Sequence, residues 1–445
     1  MMQDKTSLLS GSILSQLARL SVPLLLGSIL QQFYNLADAW IVQRLLGTDS
    51  FAAVGISSTV MNLFVFVLTG FCTGAGILFS ELFGKNDSGN FRKSLFTAIL
   101  FGGIMTLLIS AAAILLLKPL LLAIHTPEGL MEDTRSYMLC ILAGLVFTYM
   151  YNLFSAVLRA IGDTKASFYF LVFAVILNIP LDFLCISALG MGVCGAAFAT
   201  VLSQLLAAAG SFIWLKGKNP ELICKREDFG WYPVILKQVM KLGVFTALNN
   251  SSLYIGKLLV QGAVDTLGTQ GIAAYTAASR IEGFANAFGT TIGQSATIFV
   301  SQNLGAGNMS RIKEGLKKSL LISAVLGVVF SVVLYIAARP GTALFLGSGD
   351  EYALSQGEGY LKLVAYFYIL LFVGDVLVGF FHGMEKVLVP FAGTTMHITL
   401  RVIVSYLMIG AMGLNAVALG TSLGWILTLA FHTAMLIILR KKLFG

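Results

Sequence analysis

The sequence predicts an all-α integral membrane protein with twelve transmembrane helices, in two six-helix lobes related by a pseudo-two-fold axis along the membrane normal. Three observations carry this expectation. Apolar residues make up 57% of the 445-residue chain and charged residues only 11%, against roughly 25% charged in soluble domains. Apolar runs of about 20 residues, enough to cross hydrocarbon as helix, recur along the whole length. The second half also repeats the first at a fixed offset.

The runs lie near 17–43, 53–80, 93–117, 136–158, 166–188 and 192–215, then 238–264, 274–301, 316–337, 359–380, 388–409 and 414–438. They are continuous rather than alternating, which favours helices over barrel strands. Gly, Ser and Thr are frequent inside them, as expected where helices pack closely or line a cavity. The N-terminal stretch Met1 to Gly11 is polar, and the run after it is too long for a signal peptide and lacks a cleavage site, so it reads as the first span. Cys72, Cys140, Cys185, Cys194 and Cys224 show neither metal-ligand spacing nor a secreted disulfide framework.

Lys and Arg set the orientation. One set of loops, with both termini, holds 21 of the 29 basic residues, among them Lys5, Lys85, Arg92, Lys216, Lys225, Arg311 and Lys442; the opposite loops hold five. The positive-inside rule then places both termini in the cytoplasm. It also accounts for the net charge of +8 without nucleic acid. Lys257, Arg280 and Arg401 lie within spans and need another explanation.

A shift of 221 residues aligns Leu46-Gly47-Thr48 with Leu267-Gly268-Thr269, Gly162 and Lys165 with Gly383 and Lys386, and Met191-Gly192 with Met412-Gly413. Six spans per unit, an even number, give both halves the same orientation, with a binding site expected between them. The division expected is an N-terminal lobe at 1–215, a basic cytoplasmic linker at 216–236 and a C-terminal lobe at 237–445.

The fifth run contains Asn178-Ile-Pro180-Leu-Asp182. A carboxylate at that depth costs about 3 kcal/mol on insertion scales and normally faces a bundle interior or a wet cavity. Pro180 removes a backbone donor and is expected to bend the helix. Asn178 and Asp182, four residues apart, share a face. The first run holds Asp38 with Tyr34 four residues before it, so a phenol shares that acid's face. The offset sets Leu259 opposite Asp38 and Ile403 opposite Asp182, so symmetry of the fold does not demand these acids. A functional role is favoured over a structural one.

The second half carries a different set: Lys257, Arg280, Glu282, Asp375, His397 and Arg401. Buried opposite charges often pair to offset desolvation, and Asp375 is the candidate partner for Arg280, Lys257 or Arg401. Structural pairing and a role toward substrate or cation both stay open. Glu81 reads as a solvated helix end. Gly70-Phe-Cys-Thr-Gly74-Ala-Gly76 is glycine-rich but lies inside a span and lacks the P-loop Lys-Ser/Thr, so it reads as a packing surface. The four histidines lack metal-ligand spacing, and no nucleophile with its base emerges. An enzyme is not expected.

Over essentially its whole length the chain resembles the MATE family of multidrug and toxic compound extrusion transporters. The residues responsible are Gln32-Phe-Tyr-Asn-Leu-Ala-Asp38, Ala52-Ala53-Val54-Gly55, Leu158-Arg159-Ala160-Ile161-Gly162-Asp163-Thr164-Lys165, the Asn178 to Asp182 segment, Gly192 to Thr200, and Ser301-Gln302-Asn303-Leu304-Gly305-Ala306-Gly307. The resemblance implies an antiporter exporting amphipathic, often cationic, organic compounds in exchange for H+ or Na+ by alternating access. By position Asp38 and Asp182 resemble the family's first-helix and fifth-helix acids. Tyr34, Asn178 and Thr200 resemble the polar residues joining them in DinF-type and archaeal members, with Asn152 a looser match. Asp375 resembles the tenth-helix acid of NorM-type members, but their seventh-helix acid has no counterpart here: that span offers Asn249, Asn250 and Lys257. The expectation is a chain closer to the DinF-type and archaeal members, coupled in its N-terminal lobe, with Na+ between Asp38 and Asp182 as the metal site it leaves open.

Further expectations follow from the resemblance and from the lack of any nucleotide motif. They are no cofactor beyond the coupling ion, no ATP and no nucleic acid. A small-molecule substrate, the lipid bilayer, a monomeric state and a cell-membrane location complete them. A flippase for a lipid-linked saccharide, from the same superfamily, is the alternative. Flippases usually carry a strongly cationic cavity, whereas the N-terminal cavity expected here is acidic.

Overall fold

The computed structural model describes residues 8–444 apart from Ser348, with side chains as far as Lys441. Lys5 and the side chain of Lys442, both used for orientation, lie outside the described residues. Among those residues the chain forms helices and turns, with no strand. The first half comprises α1 (Ile13–Leu46), α2 (Thr48–Gly84), α3 (Ser88–Thr97), α4 (Gly103–Leu115), α5 (Leu117–Ala123), α6 (Met131–Ala143), α7 (Leu145–Ala160), α8 (Thr164–Phe183) and α9 (Gly192–Lys218). The second comprises α10 (Pro233–Asp265), α11 (Gly268–Gly305), α12 (Met309–Leu346), α13 (Glu351–Ala365), α14 (Tyr368–Gly383), α15 (Leu388–Met412) and α16 (Leu414–Phe444).

Eight of these segments are long and apolar enough to cross a membrane singly, and two more spans are bent pairs. The pair ending at Ala160 bends by 49° next to Gly144, and the pair ending at Gly383 bends by 55° after Ala365. Those breaks stand one repeat apart. The remaining two spans are α10 and α11, 33 and 38 residues long. Asn249, Asn250 and Lys257 in the one, and Arg280, Glu282 and Asn286 in the other, lower their hydropathy. The same polar residues make them candidates for function.

The chain forms two compact units, residues 22–247 and residues up to 21 together with 248–445. The divisions fall inside α1 and α10, so each of these helices contributes to both units. In the first unit α2 packs on α6 and α7, and α9 on α6, α7 and α8. The glycine surface on α2 has its reason here: a Cβ on Gly70 would meet the Ala247 backbone at 2.5 Å, and one on Gly74 would strike the Leu242 carbonyl. The segment 216–236 is docked on this unit rather than loose. Arg92 Nε donates to Asp228 Oδ2 at 2.7 Å, and the Lys225 N–H donates to the same oxygen at 2.8 Å. Glu81 is half-buried, not solvated as expected, because α2 runs on past it to Gly84.

In the second unit α11 packs on α12, α13 and α14, and α15 on α16. Glycine again sets the approach: a Cβ on Gly379 would strike the Gly293 carbonyl. One contact overturns the reading of the cysteines. Cys140 on α6 and Cys194 on α9 form a disulfide, with Cα atoms 5.9 Å apart. A sequence separation of 54 hid a pairing that helix packing creates.

Candidate functional site

Four spans of the first unit bring the expected acids together. The α-helix α8 runs through Pro180 without a break and then widens into a π turn at Leu184–Ala188. Asn178 and Asp182 are both buried on its inner face. The Asn178 amide is satisfied at both ends when its nitrogen donates to Asp182 Oδ2 at 2.9 Å and its oxygen accepts from the Thr200 N–H of α9 at 3.2 Å. The hydroxyls of Thr200 and Tyr34 lie 3.4 Å apart, which carries the network to α1. Asp38, one turn beyond Tyr34, is half-buried; its Oδ1 is out of contact with solvent and lacks a hydrogen-bond partner. Asp38 and Asp182 are within Coulombic range of each other.

Such an arrangement has one evident capacity. Two carboxylates in a low-dielectric setting repel, and a cation between them, or a proton on either, relieves that repulsion. Amide, hydroxyl and phenol oxygens stand ready beside them as further ligands. Asn152 does not join: its Nδ2 donates to the Thr148 carbonyl in its own helix at 2.8 Å. Tyr137, absent from the sequence reading, does. It is buried on α6 and within Coulombic range of Asp38, Tyr34 and Asp182. A tyrosine at the start of an apolar run was its only signal. The disulfide frames the same place, with Cys140 three residues from Tyr137 and Cys194 six from Thr200.

The second unit separates the charges that sequence reasoning grouped. Asp375 forms no ion pair with Lys257, Arg280 or Arg401 among the described residues. Its Oδ2 is buried without a partner and lies 2.5 Å from where a Cβ on Gly289 would stand. It lines a cavity of about 130 Å³ with Asn249, His397, Trp425 and Thr428. Glu282 is the acid of the basic cluster. Tyr360 donates to its Oε2 at 2.7 Å, and the Tyr368 hydroxyl lies 3.4 Å from its Oε1. It is within Coulombic range of Arg401 and Lys257. The difference has a geometric cause: Asp375 packs against Gly289 and Gly293 of α11.

The MatE family model matches residues 23–184 and 246–407, one stretch in each half. The chain belongs to the MatE family. It is therefore a multi-pass membrane transporter, and the sequence resemblance is confirmed at that level. The probable multidrug resistance protein YpnP of Bacillus subtilis is 29% identical over 372 residues, covering 83% of this chain and 82% of that one. An FAD transporter of Shewanella oneidensis is 26% identical over 371 residues, covering 82% and 80%. A solved MATE transporter of the MOP superfamily, in an outward-facing conformation, superposes with a TM-score of 0.88 at 22% identity, covering 100% of this chain and 99% of that one. Twelve helices in two lobes are the fold they share.

Proposed function

We propose that this chain is a secondary antiporter that exports amphipathic organic compounds across the cell membrane, by alternating access, in exchange for H+ or Na+. Both termini are cytoplasmic in this reading, and coupling lies in the unit 22–247, as in DinF-type and archaeal members. Relatives named as multidrug resistance proteins support efflux and do not favour the flippase alternative.

The observation that carries the coupling role is the buried Asp182, bound to Asn178 and within Coulombic range of an Asp38 whose Oδ1 has no partner. Ion uptake neutralises charge among Tyr34, Asn178 and Thr200, and release restores it. The ion thereby interacts differently with the two access states, which is the condition for coupling. A second cation position is favoured by one specific feature. Asp375 Oδ2 and Asn249 Oδ1, both buried and unpartnered, line one cavity.

The test is Asp38→Asn and Asp182→Asn, which mimic the neutralised carboxyl in shape and charge. Both variants are expected to insert and fold as wild type and to lose concentrative export of ethidium from cells. Wild-type export by Asp38→Asn would remove that acid from the mechanism.

A further inference from the structure

The second unit holds more positive charge inside its spans than its own acids offset. Lys257 on α10 lies within electrostatic reach of Arg280 on α11 and Arg401 on α15. Gly256, next to Lys257, takes Ile398 of α15 against its backbone. Arg401, three residues beyond Ile398, donates from Nη2 to the Tyr275 hydroxyl of α11 at 3.2 Å. Lys257 is within Coulombic range of Arg401, Arg280 and Glu282. Each cation in a span costs about 3 kcal/mol on insertion scales, so it normally has an acid partner or faces water.

Pairing accounts for one of the three at most. Among the described residues Glu282 is the acid in range of Lys257, and it is already held by Tyr360 and Tyr368. Asp375 sits in the separate cavity with Asn249 and His397. The Lys257 and Arg280 side chains are exposed and make no ion pair among the described residues, and Arg401 Nε is buried without an acceptor. A purely structural cluster would leave about two of these charges to water alone, and like charges held together in one wet cavity make it a site that attracts an anion. Phe284, four residues from Arg280 and so on the same face of α11, is 39% exposed and offers an aromatic surface beside the charges.

We propose that Lys257, Arg280 and Arg401 bind the oxyanion group, carboxylate or phosphate, of an aromatic organic substrate. The inference rests on the exporter reading and extends its substrate class from cations to anions and zwitterions. Guanidinium forks suit planar carboxylates and phosphates, and the ammonium of Lys257 adds a point charge.

Fluorescence polarisation on the purified full chain in neutral detergent tests this with two matched pairs. Carboxyfluorescein and rhodamine 123 share a ring system and differ in charge; riboflavin 5′-phosphate and riboflavin differ by the phosphate. At least one anionic probe should bind more tightly than its counterpart and weaken with salt. It should lose about tenfold in affinity for each charge-assisted contact removed by Lys257→Gln or Arg280→Gln. The responding pair identifies the oxyanion. Arg401→Gln removes a half-buried side chain and risks misfolding, so the two exposed positions carry the test. Equal affinity within both pairs, or no change in the variants, would overturn the proposal. So would displacement of the probe by phosphatidylglycerol but not phosphatidylcholine, which would assign the cluster to a lipid headgroup. Equilibrium binding needs no ion gradient, so its failure is distinguishable from failure of the antiport reading.

Discussion

Asp38 and Asp228 show two ways in which this chain keeps a carboxylate away from bulk water. Asp228 is structural. Burial opposes its ionisation, but the Arg92 guanidinium and the Lys225 N–H outweigh that and hold its carboxyl below the usual range. A carboxyl with a depressed folded-state pKa adds stability that is complete above its unfolded value of about 4. That stability is lost as pH falls through the lower folded value. Asp228→Asn should therefore destabilise the protein by about 2 kcal/mol at neutral pH, the worth of a hydrogen bond to a charged group. Thermal unfolding at pH 7 and in acid should show the gap from wild type closing as pH drops below 4. Asp38 differs in having an oxygen left over, which is what an ion site requires. These acids were legible in the sequence because a carboxylate in an apolar run needs a reason wherever it stands. Tyr137 was not, since tyrosine is unremarkable at the end of a span and only the packing of α6 brings it near both acids.

At the scale of elements, glycine sets how closely helices approach. Gly70 and Gly74 let α2 lie against the first part of α10, and replacing Gly74 with Leu would overpack that contact at a cost of about 1–3 kcal/mol. The twelve spans were legible because hydrocarbon demands continuous apolar helix. The bends beside Gly144 and after Ala365 were not, and neither was the Cys140–Cys194 bond, because each depends on neighbours distant in sequence. Lys and Arg predict the orientation, and labelling tests it. Cysteines at Asn219 and Asn308, in a background lacking Cys224, should react with an impermeant maleimide only in inverted vesicles. One at Pro127, which is exposed, should react only in intact cells. The reverse pattern would invert the topology.

On the whole-molecule scale the two units differ in charge although they repeat each other in helices. The unit 22–247 buries acids with amides and hydroxyls; the other gathers three cations around one glutamate and sets Asp375 apart. The internal repeat made the common architecture readable from aligned loops, and the departures from it marked both candidate sites. What escaped was which acid lies near the cations, because Glu282 bonds to Tyr360 and Tyr368 while Asp375 packs against Gly289 and Gly293 of α11. The central claim is that substrate leaves against its own gradient at the expense of an ion gradient acting through Asp38 and Asp182. Proteoliposomes holding the wild-type chain, with a proton gradient or a sodium gradient imposed separately, test it most directly. Concentrative ethidium transport under one of the two gradients, absent with neither and absent in Asp182→Asn, is the predicted result. Transport that only dissipates the ethidium gradient, whatever ion gradient is present, would contradict it.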